Sequence, residues 1–461
     1  MGFDLPLMTH STSEPACPAH LRRETTRRPK SCIQRSSAKV GSSFALAWAI
    51  AVFAGSSSLP CSALIDSELP PLIDYSGPPP VGEAIPEGEA RILHTWPDKV
   101  FLAFDTRNHL LLWDSSQGRF ERHDGSPTTS GTAIGSPVPD VGRVLHGAMN
   151  RDRTRIATVS VLTPSEGQIR VWNSETGNPA GPPIPVSEVT QAIFGLDEQS
   201  FVAIAALDGS VSAWDAKTAA KLWTARPPYP MPTTWLELRP SPDGRLLAAR
   251  HRFGVLFWNM VSREVVGDIR HRRIADISDD WAVAVGSESS PDLRIPSRPA
   301  TWRLEGPGRF SPLPHGPPDH LLRSAETLAV SADGSRIAIA SREHPLRVWN
   351  LGTHTAVEGT QKTQGRVMRM LFSPDNRLVA TWELETGPSL TRMSGKVQVW
   401  DVADLLPLGT PRSNPGAFHD WRFSPDSRLL VVSFSRASDD LGVQVWRMPL
   451  RATAGEKNVS R

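Results

Sequence analysis

The chain has 461 residues, with 50 Lys and Arg against 48 Asp and Glu and a formal net charge of +2 at pH 7. Charge this closely balanced gives no electrostatic basis for gripping a nucleic-acid backbone or an anionic bilayer surface. The three cysteines, Cys17, Cys32 and Cys61, all lie near the start, so the rest of the chain can carry neither a disulfide framework nor a thiolate zinc site.

Residues 1–39 are polar and carry Arg22, Arg23, Arg27, Arg28, Lys30, Arg35 and Lys39, whereas residues 40–65 carry no charge. The apolar run Phe44–Ala54 is short for a bilayer span but suits the apolar core of a signal peptide. Cys61-Ser62-Ala63 then offers small residues where a signal peptidase cuts. Residues 1–63 therefore read as a basic region plus a signal or anchor segment, cleaved after Ala63, with export to the periplasm or beyond. The alternatives are an uncleaved membrane anchor using Val40–Ile65 or a cytoplasmic protein with an apolar tail. Residues 64–88, with Pro70-Pro71 and Pro78-Pro79-Pro80, read as an extended linker that could supply a closing strand.

From residue 89 the chain repeats. Trp113, Trp172, Trp214, Trp258, Trp302, Trp349, Trp400 and Trp446 follow at intervals of 59, 42, 44, 44, 47, 51 and 46 residues. A period of that size marks one supersecondary unit used again and again. Its clearest endings are Ile169–Asn173, Leu346–Asn350, Val397–Asp401 and Val443–Arg447. A turn with an aspartate precedes the tryptophan: Ser241-Pro242-Asp243-Gly244, Ser331-Ala332-Asp333-Gly334, Ser373-Pro374-Asp375-Asn376 and Ser424-Pro425-Asp426-Ser427. Apolar runs flank these turns, so each unit reads as strand, turn, strand, loop, a third strand bearing the tryptophan, and a shorter fourth. In chain order the expected strands include Lys99–Phe104 and Leu110–Trp113, with a polar insertion over Gln117–Gly131; Arg155–Val161 and Ile169–Trp172; Phe201–Ala206 and Val211–Trp214. Then come Leu246–Arg250 and Val255–Trp258, a weak copy at Trp281–Val285, and three clear copies before a polar tail over 449–461.

A four-stranded unit of this length cannot bury both its faces alone, and radial packing solves that problem. The pattern resembles the WD-repeat β-propeller family in its bacterial, divergent form. Trp113-Asp114, Trp214-Asp215 and Trp400-Asp401 keep the family's dipeptide, Trp172, Trp258 and Trp349 precede asparagine, and Trp302 and Trp446 precede arginine. The resemblance implies an all-β fold over residues 89–448 with eight four-stranded blades, seven being the alternative count. The Gly-His pair that often opens the family's repeat is missing, so its Trp–Ser/Thr–His–Asp network is not expected. The eight tryptophans are assigned to the core, where each indole N–H needs one partner.

No nucleophile elbow, phosphate loop, His-Glu-x-x-His or EF-hand spacing occurs in the repeats, and the histidines are scattered. No catalytic residue, metal site or cofactor is assigned. Arg250-His251-Arg252 and Arg270-His271-Arg272-Arg273 read as solvated sheet edges. The b–c connections look long at Gly286–Pro299, Glu383–Gly395 and Ser435–Leu441, and moderately extended at Thr163–Gly167. Loops on a rigid scaffold are where binding usually lives. Trp382, Glu383, Glu385, Arg392, Arg436, Asp439 and Asp440 are thus the candidate contacts of a non-catalytic scaffold for a protein or peptide. The alternative is a hydrolase or lactonase of the propeller kind, with a site at the funnel mouth. After Trp446 no apolar run remains for a fourth strand. One of Ala63–Ile65, Leu72–Tyr75 or Val81–Ile85 is expected to pair there and close the ring.

Overall fold

The computed structural model describes residues 89–449, less 97, 125–130, 164, 188, 196–199, 206–209, 229–234, 252–253, 271, 289–297, 385–394, 414–416 and 436–440. The chain divides into two units, residues 1–59 and 60–461, and everything described belongs to the second. The signal or anchor segment, the linker over 64–88 and residues 450–461 lie outside the described residues.

Thirty-two strands form eight antiparallel four-stranded sheets. The first strand, β1 (Arg91–Trp96), is set aside for the last sheet. The first sheet is β2–β5 (Lys99–Phe104, Leu110–Asp114, Arg119–His123, Thr132–Ile134), and the second is β6–β9 (Arg143–Met149, Arg155–Thr163, Glu166–Asn173, Ile184–Val186). The third is β10–β13 (Val189–Phe194, Ser200–Ala205, Val211–Asp215, Lys221–Ala225), and the fourth is β14–β17 (Trp235–Pro240, Leu246–His251, Gly254–Asn259, Glu264–Arg270). The fifth is β18–β21 (Arg272–Ile277, Val283–Glu288, Arg298–Gly306, Arg309–Pro312), and the sixth is β22–β25 (Thr327–Val330, Arg336–Ala340, Arg347–Asn350, Thr355–Glu358). The seventh is β26–β29 (Arg366–Phe372, Leu378–Leu384, Gly395–Asp401, Arg412–Ser413). The eighth takes β30–β32 (Ala417–Phe423, Leu429–Ser435, Leu441–Arg447) and adds β1 outside β32. The only helix among the described residues is one turn, α1 (Asp319–Leu322).

Local chemistry sets the turns. In the a–b turns Ser241, Ser278, Ser331, Ser373 and Ser424 each donate their hydroxyl to the aspartate two residues on. The same oxygen accepts the backbone N–H five residues on, as in Leu246 to Ser241 at 2.9 Å. Four of these turns then place Gly244, Gly334, Asn376 or Ser427 at positive φ. The fifth, Ser278–Trp281, puts Trp281 there, at φ 59, so the expected strand Trp281–Val285 starts instead at Val283. The c–d turns use the residue after the tryptophan. Asn173, Asp215, Asn259 and Asn350 accept backbone N–H bonds from the two residues that follow at +2 and +3, which is an Asx turn. Arg447 differs because the place beside β32 is filled by β1, from the other end of the ring.

Each seam between neighbouring sheets holds its own apolar cluster, and there are eight clusters for eight seams. The ring is therefore an all-β propeller closed on itself. Trp172, Trp258, Trp302, Trp400 and Trp446 are buried and pack on the preceding sheet, while Trp214 and Trp349 are only half-buried.

Trp113 breaks the expected pattern. It sits on the second strand of its sheet, paired with Phe120 across the short turn after Asp114. The row occupied by Met149, Ile156 and Trp172 in the second sheet holds Phe104, Leu110 and His123 in the first. His123 thus fills the tryptophan place, and the interval to Trp172 becomes 49 residues instead of 59. The false copy has a plain cause. Asp114 forms the same Asx turn one strand early, accepting from Ser116 and Gln117 N–H.

An N-terminal strand does close the ring beside β32, but it is β1. The three segments expected there lie outside the described residues, and the edge is already filled by Arg91–Trp96. That strand suits a slot between two seams. Ile92 packs with the seventh and eighth sheets, while Leu93 and Trp96 pack with the eighth and first. A bulge between Ile92 and His94 turns the side chains accordingly.

Candidate functional site

The connections gather at two ends of the ring. One end carries the a–b and c–d turns. The other carries the b–c and d–a connections and one mouth of the channel lined by the inner strands.

At this second end the sequence assignment needs correction. Trp382 and Glu383 are strand residues in β27, paired with Val397 and Lys396, and they are 6% and 2% exposed. Trp382 stacks on Phe418 of the next sheet at 4.7 Å between centroids. Gly395 opposite has no room for a Cβ, which would lie 2.1 Å from the Trp382 indole nitrogen. An aromatic side chain that can be covered by two sheets is buried rather than offered to solvent. Glu385, Arg392, Arg436, Asp439 and Asp440 lie outside the described residues. The expected extension at Thr163–Gly167 is a hairpin in which β7 and β8 continue to Thr163 and Glu166.

Glu383 has a positioning role instead. Trp400 donates its indole N–H to Thr381 at 3.0 Å, and Thr381 donates its hydroxyl to Glu383 at 3.0 Å. The other carboxylate oxygen accepts the N–H groups of Gln364 and Gly365 at 2.8 and 3.0 Å. Burial pushes the Glu383 carboxyl above its ordinary range, against the opposing pull of these hydrogen bonds. The relay ties the buried tryptophan to the d–a connection before β26. In the second sheet the corresponding first link is present, Trp172 to Thr158 at 2.8 Å. The signal was present as Thr381-x-Glu383, two polar residues on one face of an apolar strand.

The inner strands carry a second signal missed in the sequence. Six have a bulge followed at once by a polar residue: His146, Gln191, Glu237, Asp276, Arg369 and Asp420. Some brace the neighbouring inner strand. Gln191 accepts the Leu238 N–H at 2.8 Å, and Asp276 accepts the Val330 N–H at 3.1 Å and an Arg239 N–H at 3.2 Å. Arg250, one of the basic-cluster residues, donates to the carbonyls of Ile274 and Ala275 on the next sheet. That role is structural bracing, and it corrects the sheet-edge reading of this residue, because Arg250 lies on β15, paired with β14 on one side and β16 on the other.

Others line a cleft at the channel mouth, which encloses about 380 Å³ together with the solvent space it opens onto. His146, His419, Asp420, Arg422 and Ser433 contribute to its wall. Arg422 and Asp420 are 3.5 Å apart. Burial pushes His146 down to about 4, helped by the Arg422 cation and opposed by Asp420. Burial lowers His419 too; Asp420 opposes, and Arg369 and Arg143 reinforce the shift. His146 is therefore neutral at pH 7.

Among the described residues, no group of three His, Cys, Asp or Glu side chains could hold a metal, and no helix is long and apolar enough to cross a membrane. A comparison with models of known protein families finds no match, and none of the curated proteins matches the chain.

Proposed function

We propose that this protein is a non-catalytic scaffold, an eight-bladed WD-type propeller with each sheet serving as one blade. It captures a protein or peptide partner on the end that carries the b–c and d–a connections. The supporting observation is that the b–c and d–a connections at this end share neither a length nor a turn motif, whereas the a–b turns opposite are all five residues long. The b–c connections run from two residues between β7 and β8 to ten between β27 and β28. Glu385, Arg392, Arg436, Asp439 and Asp440 supply the outer contacts, while Trp382 and Glu383 hold the strand ends beneath them. No cofactor takes part. Trimming 385–394 to a tight turn removes partner capture and leaves the melting temperature near that of the parent. Capture retained by the trimmed protein counts against the proposal.

A second reading has one observation in its favour, the shared cleft of Ser433, His146, His419 and Asp420. A hydrolase needs its nucleophile within reach of a base. No hydrogen bond joins Ser433 to either imidazole, so the scaffold reading is preferred. Ester or lactone hydrolysis that disappears in His146→Ala and His419→Ala would reverse the preference. Export belongs to the same proposal: the mature chain begins at Leu64 and lacks all three cysteines. Mass spectrometry of the natively made protein that finds peptides spanning Cys17 or Cys32 contradicts it.

A further inference from the structure

Two imidazoles meet on the flank of the seam between the fifth and sixth sheets. His315 belongs to residues 313–326, the longest d–a connection of the ring, and His354 to the c–d turn 351–354 after β24. Their rings stack at 4.2 Å between centroids and 15° between planes. Both residues are exposed, and both hold a left-handed backbone, at φ 56 and φ 55. The backbone is anchored on each side. The His315 carbonyl accepts the Trp349 indole N–H at 3.0 Å, and the His354 N–H donates to the Asn350 carbonyl at 2.9 Å. The turn itself does not ask for an imidazole. The same position in other c–d turns, four residues after the Asn or Asp that follows the tryptophan, is also left-handed and holds Gly177, Ala219, Arg263 or Leu405. Among the described residues no hydrogen bond engages a nitrogen of either ring. Two anchored residues thus present their ring nitrogens side by side to solvent.

We infer that His315 and His354 bind one transition-metal ion, Cu²⁺, Ni²⁺ or Zn²⁺, as a two-histidine clip. Imidazole nitrogen suits these ions, and affinity peaks at Cu²⁺. Mg²⁺ and Ca²⁺ need several oxygen ligands, and among the described residues no group of three His, Cys, Asp or Glu could supply them. A metal–nitrogen bond of about 2.0–2.1 Å puts two ligating nitrogens about 3 Å apart. Rings already stacked at 4.2 Å reach that spacing by rotation about χ2, a torsion with a broad minimum. Water fills the other coordination positions, which leaves the ion open to a further ligand. The ion ties residues 313–326, whose helix α1 buries Leu321 and Leu322 in the seam, to the c–d turn of the sixth sheet. Only the fold brings the two histidines together, so the ion binds the folded chain in preference and stabilises it. This site is independent of the scaffold reading.

The test uses the full chain without an affinity tag. Isothermal titration and electron paramagnetic resonance follow Cu²⁺ binding, with Zn²⁺ and Mg²⁺ as competitors. The tightest Cu²⁺ site should show two nitrogen ligands; Zn²⁺ should compete for it and Mg²⁺ should not. The comparison variant is H315N/H354N, since asparagine accepts a left-handed backbone and carries no imidazole. It should melt within a few degrees of the metal-free parent, because both rings are exposed. It should lose the two-nitrogen signal. Each single variant should bind Cu²⁺ about tenfold or more weakly, because one imidazole alone gains nothing from a second ligand held nearby. H354G, which carries the residue that the second sheet has at this turn position, repeats the test on one ring. Zn²⁺ should raise the melting temperature of the parent and leave that of H315N/H354N unchanged. A parent spectrum with a single nitrogen ligand overturns the inference. So does a tightest site unchanged in affinity and spectrum in H315N/H354N, competition by Mg²⁺ as strong as by Zn²⁺, or an equal Zn²⁺ shift in both melting temperatures.

Discussion

All eight a–b connections of the ring are five residues long, whereas the b–c connections at the other end run from two residues to ten and the d–a connections from one to fourteen. The difference follows from what each end asks of its residues. In five of these turns a serine hydroxyl and an aspartate satisfy the turn's own backbone, and in the first two sheets Asp105 and Asn150 accept backbone N–H groups there, so adding a residue breaks the unit. The other end has no shared turn motif, so its length is free to drift. The buried aromatic row lies at the a–b end, where the c–d connections still range from two residues to ten, so what sets that end apart is the fixed a–b turn. The account places stability in the a–b turns and the aromatic row and proposes recognition at the other end, and substitutions can test that division.

The largest effect should come from the strand that spans both ends. Deleting residues 89–96 removes β1 and leaves the edge of β32 unpaired. The whole ring should lose its cooperative melt and aggregate, whereas a chain starting at residue 89 should melt like the parent. Similar melting of the two truncations would show that closure does not depend on Arg91–Trp96.

Next in size are the row aromatics. Trp400→Ala should cost about 3–5 kcal/mol through lost burial and a cavity. Trp349→Ala should cost clearly less, since Trp349 is half-buried and its indole N–H bonds only the His315 carbonyl at 3.0 Å. Denaturant midpoints of the two variants make the comparison, and equal losses would mean that the packing difference is immaterial.

A smaller effect concerns pH at the closing seam. Lys99 bonds Asp114 and Glu121, His123 bonds Glu121 at 3.1 Å, and Trp96 lies between the rings of His94 and His123. Burial lowers both imidazoles below 6.5; the Lys99 cation adds to this in each case, and Glu121 opposes it at His123. The folded form therefore binds fewer protons than the unfolded chain. The seam's contribution is fully present above the unfolded value and is lost as pH falls below about 6.5. Urea midpoints should drop between pH 7 and 5, and His123→Asn should shrink the drop. An unchanged drop would place the acid sensitivity elsewhere, with His94, His146 and His419 as the remaining groups of the same sign.

What was legible in the sequence was what local chemistry writes there. The period, the Ser-x-Asp turns and most of the tryptophan rows follow from residues within one hairpin. Trp113-Asp114 misled for the same reason, because an Asx turn looks alike after the second strand or the third. Its true counterpart, His123, carries no tryptophan signature. The closing strand was misplaced into the linker because pairing of Thr95 with Gln444 joins positions nearly the whole ring apart. The cleft was illegible because it unites His146, His419 and Ser433 from three separate strands. The polar residue after each inner-strand bulge was visible, but its direction depends on the bulge, which the sequence does not announce.

The central claim is that recognition belongs to the end that carries the b–c and d–a connections. Hydrogen–deuterium exchange of the full chain, with and without its captured partner, tests this most directly. The account predicts new protection at residues 359–365, 385–394 and 436–440, with the c–d turns at 260–263, 351–354 and 402–405 unchanged. Protection confined to those c–d turns, with the channel mouth exchanging as before, would contradict it.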